Sequence, residues 1–172
     1  KATRGKASPA AVQQVLRDSE HFSSRMYAPI IGTVMGPTVL QFDPPEHTRV
    51  RELVQFAFSR TELARWEREL VAPAVARLID RFAGRGSADL VRELTFPFPV
   101  EVIAGMMGVP DELRDRFARL AVEIISVSFD LPTALSARQG MQELLAPLLE
   151  ERRSQPRGDL ISILAHAEIG GA

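Results

Sequence analysis

The fold-deciding stretch of this chain is a helix start that contains two basic side chains, Asp43-Pro44-Pro45-Glu46-His47-Thr48-Arg49-Val50-Arg51. Asp43 can cap the helix, proline suits its first turn, and Glu46 stands three residues on, as in a capping box. His47 and Arg51 are four residues apart and therefore share one helix face. Near a helix N-terminus they form a candidate two-donor site for a carboxylate, although spacing alone favours an ordinary solvent-exposed pair.

Helical periodicity continues outward from this segment. The apolar spacing predicts helices over residues 44–57 and 61–82, and Ser59-Arg60-Thr61-Glu62 is a second capping box. Pro73 is expected to kink or split the longer helix. Short strands are predicted at residues 2–4 and 88–91, so the fold class is mainly α with a few short strand pieces. Further helices are predicted to start near Pro9, Pro99, Pro110 and Ala134, and Asp159 is expected to cap a last short helix.

The segment before the deciding stretch, residues 23–42, is unusually apolar for a loop. It contains two glycines and two prolines, which argue against a long helix, yet many of its side chains are large and apolar. Loops normally run over the surface and are polar. The segment therefore either packs on its own small core or forms a flexible wall over an apolar ligand pocket.

Composition excludes several classes of protein. The 172 residues are 45% hydrophobic, which excludes intrinsic disorder and suits one domain. A formal net charge of −1 gives no overall attraction to nucleic acid or to anionic lipid, and neither is expected as a partner. The absence of cysteine excludes disulfides and any cysteine-ligated metal within these residues. No apolar run approaches the roughly 20 residues of a membrane helix and the N-terminus is not a signal peptide, so the expected location is cytoplasmic.

Few residues suggest catalysis directly. The three histidines form no metal-binding pair, and no phosphate-binding glycine loop or nucleophile elbow occurs. The charged run Glu150-Glu151-Arg152-Arg153 is interpreted as a solvated helix face.

The stretch from residue 43 to 51, followed by Ala57-Phe58-Ser59, resembles the C-helix signature of bacterial cytochrome P450 monooxygenases. Other segments resemble that family in the same order along nearly the whole chain. The resemblance predicts a single partial domain, residues 1–172, with a cytochrome P450-like helical core from helix B to helix H. The further matching segments are Val15-Leu16-Arg17-Asp18 with Phe22-Ser23-Ser24 (helix B and the B–C loop), Ala88-Asp89-Leu90-Val91 and Phe98-Pro99-Val100 (the entry to helix E), Gly108-Val109-Pro110 (the E–F turn), and Glu150 to Arg153 with Gly158 to Leu164 (the end of helix G and helix H).

The resemblance also implies a cofactor and binding residues. Members of the family hold haem b through a cysteine thiolate that promotes cleavage of the O–O bond. His47 and Arg51 match the residues that bind a haem propionate. Met26, Met35 and Leu40 are candidate substrate-binding residues in the B–C loop, and residues 125–131 resemble the F–G lid. The resemblance assigns no catalytic residue and no metal ligand to this segment.

The expected function is therefore part of a haem-thiolate monooxygenase that inserts one oxygen atom of O2 into a small lipophilic substrate. Its electrons would come from a ferredoxin-type donor, for which Arg49, Arg60 and Arg65 form a candidate positive patch, unless they are ordinary solvated arginines. The segment lacks the family's I helix and its cysteine haem loop, so alone it is expected to be inactive. The alternative is a cofactor-free helical binding domain with an apolar groove for a lipophilic ligand or a partner helix.

Overall fold

The computed structural model describes residues 8–167, and every regular element within that range is helical. The mainly helical fold class is thereby confirmed. No helix in this range combines the length and the apolar character that crossing a bilayer requires. The α-helices are α1 (Pro9–Arg17), α2 (Thr33–Met35), α3 (Glu46–Ala57), α4 (Arg60–Trp66), α5 (Ala72–Asp80), α6 (Pro97–Met106), α7 (Arg114–Ile125), α8 (Leu131–Ser154) and α9 (Leu160–Ala165).

The strand prediction at residues 88–91 is wrong. Asp89 instead starts a helical segment, because its Oδ1 accepts hydrogen bonds from the backbone N–H groups of Val91 and Arg92, both at 3.1 Å. A π-helical segment, Val91–Thr95, follows and leads into α6. An isolated short strand would also have no neighbouring strand with which to pair. The other predicted strand, residues 2–4, lies outside the described residues.

The long helix predicted over residues 61–82 is divided, as its proline indicated. A π-helical segment, Glu67–Val71, separates α4 from α5. Pro73 has no N–H to donate to the carbonyl of Glu69, and the helix accommodates the missing bond by widening just before the proline. At the other end, Ser59 caps α4 as predicted, because its Oγ accepts the N–H of Glu62 at 3.3 Å.

The core lies around an antiparallel helical hairpin formed by α7 and α8, against which α6 and α9 pack. The two helices approach closely at Gly140, where an added Cβ would lie 2.8 Å from Cδ2 of Leu120. Helix α3 packs against α9, which connects the deciding stretch to this core. The buried core residues are Ala104, Val109, Phe117, Leu120, Ala137, Leu144, Leu148 and Ile161.

Candidate functional site

The two basic residues of the deciding stretch lie on α3, His47 in its first turn and Arg51 one turn later. His47 is half-buried and Arg51 is exposed. Between residues 8 and 167, neither side chain forms an ion pair or a side-chain hydrogen bond. Arg77 on α5 and Arg81 directly after it differ, because both pair with Glu101. His47 and Arg51 therefore lie on one helix face, and both side chains are without partners in the described range.

Asp43 does not cap α3 as the sequence suggested, because more distant partners bind its carboxylate. Its Oδ2 accepts the hydroxyl of Ser23 at 2.6 Å, and its Oδ1 accepts the N–H of Ser24 at 2.9 Å. These two hydrogen bonds, with the nearby charges of Arg25 and His47, lower the pKa of Asp43 below its ordinary value. Asp43 thus joins the two ends of the segment 23–42 directly before α3.

The segment 23–42 is a chain of short helical turns. Gln41 is buried and donates from Nε2 to the carbonyl of Gly36 at 2.9 Å. Gly32 lies so close that an added Cβ would stand 2.8 Å from Oε1 of Gln41. Val34 is also buried, so the segment has a small core of its own, the first of the two alternatives that its composition left open.

The same segment also forms one wall of an apolar groove, which was the second alternative. The groove has a volume of about 760 Å³ and runs between α2, α8 and α9. Of the predicted substrate residues, Met35 lines this groove. Met26 and Leu40 project elsewhere, with 66% and 58% of their surface exposed. The other main apolar side chains of the groove are Ile124, Met141, Leu145, Leu149 and Leu164.

The turn between α7 and α8 faces the segment 23–42. Val127 and Ser128 in this turn, together with Pro29 and Ile30, line a cleft of about 320 Å³. Phe129 at the tip is 84% exposed. The turn and the segment 23–42 thus meet at one edge of the groove region.

The interpretation of residues 150–153 as a solvated face is wrong for Arg152, which is completely buried. Its Nε donates to Oδ2 of Asp159 at 2.6 Å, and its Nη2 donates to the carbonyl of Gly108 at 3.3 Å. Burial raises the pKa of Asp159, but the hydrogen bonds from Arg152 and Ser162 outweigh burial, so that the pKa is lowered overall. Helical periodicity does not signal this contact, because Asp159 lies seven residues on, beyond the end of α8, and the Gly108 carbonyl is 44 residues away.

The arginines of the predicted positive patch are not equivalent. Arg49 and Arg60 are exposed and have no ion-pair partner in the described range 8–167. Arg65 is engaged, because it pairs with Glu62 and donates from Nη2 to the carbonyl of Gly158 at 2.7 Å. Two of the three arginines are therefore available to a partner.

No protein-family model matches the chain, but curated proteins and solved structures resemble it in sequence and in fold. Erythromycin C-12 hydroxylase of Saccharopolyspora erythraea is 34% identical over 170 residues, which cover 94% of this chain and 42% of the relative. A steroid C26-monooxygenase of Mycobacterium tuberculosis is 30% identical over 141 residues, covering 78% of this chain and 35% of the relative. The structure of cytochrome P450 CYP109Q5 from Chondromyces apiculatus matches with a TM-score of 0.80 at 34% identity, covering 94% of this chain and 42% of that one.

The sequence matches and the structural match both lead to the same family. The chain is a segment of a bacterial cytochrome P450, as the stretch 43–51 indicated. It spans 35–42% of the length of the two curated relatives described above.

Proposed function

We propose that this chain is the part of a haem-thiolate monooxygenase that binds a haem propionate and covers the substrate pocket. The observation that carries the proposal is the pair His47 and Arg51 on α3, unpaired within residues 8–167 and located in a segment of the cytochrome P450 fold. The complete enzyme inserts one oxygen atom of O2 into a small lipophilic substrate. Alone, without a cysteine, the segment is inactive.

The donors of α3 fit the edge of a haem. A propionate is a carboxylate, for which the guanidinium fork of Arg51 is the preferred partner, and His47 adds one donor in its neutral form. Large apolar side chains remain exposed on α1 and α3, including Leu16 and Phe56, as expected of surfaces that a flat apolar cofactor and further helices cover. Haem b, when bound, supplies the activation of O2 and the oxygen transfer.

The remaining elements have supporting roles in this proposal. The segment 23–42 contributes Met35 to substrate binding from the wall of the groove, with Met26 and Leu40 as exposed candidates outside the groove. The turn between α7 and α8 acts as a lid over the pocket. The lipophilic substrate class is supported by the apolar groove and by the steroid C26-monooxygenase among the relatives. The electron donor is a ferredoxin-type protein that approaches Arg49 and Arg60, and the enzyme is cytoplasmic.

Haem retention by variants of the complete enzyme tests the propionate role. A hydrogen bond to a charged group contributes about 1.5–3 kcal/mol, so Arg51→Ala should weaken haem retention by about ten- to a hundredfold. His47→Ala should have a smaller effect, because histidine carries a charge only when it is protonated, whereas arginine is always charged. The rate of haem transfer to apomyoglobin measures the loss.

Arg49→Ala is the matched control, because Arg49 lies on the same helix and is also exposed. It is two residues before Arg51, which places it on the opposite side of the helix. Equal haem loss from the Arg49 and Arg51 variants would contradict the propionate assignment. A complete protein that gives no red-shifted Soret band with reductant and carbon monoxide would contradict the haem-thiolate function and favour the cofactor-free binding domain.

A further inference from the structure

The buried pair Arg152–Asp159 lies where both ends of the α7–α8 hairpin meet. The chain enters the hairpin after Gly108 and leaves it after Ser154, and the Arg152 guanidinium binds the Gly108 carbonyl on the entering side and Asp159 on the leaving side. Asp159 in turn caps α9, because its Oδ1 accepts the N–H of Ser162 at 2.8 Å. We call the contact of Arg152 with Gly108 and Asp159 the clasp.

The opposite end of the hairpin is held much less firmly. Its turn, Ser126–Ser128, faces the segment 23–42 across the 320 Å³ cleft, and Ile125 and Phe129 beside it are mostly exposed. Helix α8 has 24 residues and is therefore about 36 Å long. On a lever of that length, a rotation of about 5° at the base moves the tip by about 3 Å. Small changes at the clasp are thus amplified at the lid.

We propose that the clasp is the fixed pivot of the α7–α8 hairpin, and that Arg152 and Asp159 are positioning residues that limit how far and how often the lid opens. This inference rests on the proposed function for its lid role. A pivot is expected to be rigid, and the clasp has the features of a rigid contact. Arg152 at the end of α8 is buried and joins two separate turns, and a Cβ on Gly108 would collide with the Asp159 carboxylate. Weakening the clasp should let the tip, and with it the α8 wall of the groove, move more freely.

The test uses the complete enzyme and an apolar azole, 4-phenylimidazole, whose binding to haem iron is followed by stopped-flow absorbance. Asp159→Asn keeps an N-cap for α9 but removes one of the two carboxylates that pair with Arg152, the other being Glu151 at 2.8 Å from Nη1. The double variant Arg152→Met with Asp159→Asn leaves no unpaired buried charge and so guards against a failure to fold. Arg116→Ala, which removes an exposed pair with Glu143 midway along the same hairpin, is the matched control.

A pivot predicts that the association and dissociation rate constants of the azole rise together, by about three- to tenfold, while their ratio and haem retention stay near those of the parent. Hydrogen exchange of residues 125–131 should accelerate in the same variants and not in the control. The proposal would be overturned if the variants had a lower melting temperature but unchanged azole rate constants and unchanged hydrogen exchange. It would also be overturned if only the dissociation rate constant of the azole rose. If the parent enzyme gives no red-shifted Soret band with reductant and carbon monoxide, the monooxygenase function fails, and the exchange experiment still decides whether the clasp controls the tip.

Discussion

Replacing Gly108 with alanine should destabilise the protein by more than an ordinary glycine substitution. Gly108 ends α6 with a φ of +69°, and alanine in left-handed backbone costs about 1–2 kcal/mol. The new Cβ would also lie 2.8 Å from Cγ of Asp159, so the carboxylate must move away from Arg152. Disrupting a buried ion pair costs about 3–5 kcal/mol when one charge stays unpaired, and Glu151, whose Oε2 lies 2.8 Å from Nη1 of Arg152, keeps this loss at the lower end of that range. The total expected loss is about 4–5 kcal/mol.

Gly86→Ala separates the two contributions. Gly86 has a φ of +71°, and nothing lies within 4 Å of an added Cβ, so this variant should lose only the backbone cost of about 1–2 kcal/mol. Urea unfolding of the complete protein, followed by circular dichroism of the helices, gives both free energies of unfolding. In an Asp159→Asn background the excess loss from Gly108→Ala should shrink, since the pair is already broken. Equal losses at positions 86 and 108 would refute the contact between Gly108 and the clasp.

Three further outcomes are expected. Asp43→Asn should accelerate hydrogen exchange in residues 23–42 several-fold, because the amide holds Ser23 and Ser24 less tightly, and exchange in α8 should stay unchanged. The pKa of Asp159 in the folded protein is lowered from 3.8. The stability that the Asp159 carboxylate contributes is therefore complete above that pH and is lost as the pH falls further. The free energy of unfolding, measured as a function of pH, should decline more steeply below about pH 4 in the parent than in Asp159→Asn. Arg60→Glu should slow electron transfer from a ferredoxin-type donor at low ionic strength and much less at high salt; a rate that does not depend on salt would remove Arg60 from the docking surface.

Local signals in the sequence predicted the elements that local chemistry controls. Ser59 and Asp159 cap α4 and α9 as expected, because a capping side chain binds N–H groups only three residues away. The division of the helix before Pro73 was equally predictable, since a missing N–H acts within one turn. The position of His47 and Arg51 on one helix face follows from the same short-range geometry.

Predictions failed where a distant partner competes with a local one. Asp43 has the spacing of a cap, but Ser23 and Ser24, 20 and 19 residues earlier, bind its carboxylate instead. Arg152 stands in a charged run typical of a solvated face, and only the tertiary fold brings it against Asp159 and Gly108. Periodicity reports which face of a helix is polar, and it does not report which polar side chain the neighbouring turns will enclose.

The close contact between Leu120 and Gly140 also limits how this hairpin can change in evolution. A Cβ at position 140 would lie 2.8 Å from Cδ2 of Leu120, so the buried leucine side chain would have to shift to make room for it. A change from glycine to alanine is therefore favoured when position 120 becomes smaller at the same time. Across homologous hairpins of the same geometry, these two positions should therefore vary as a pair whose combined volume stays nearly constant.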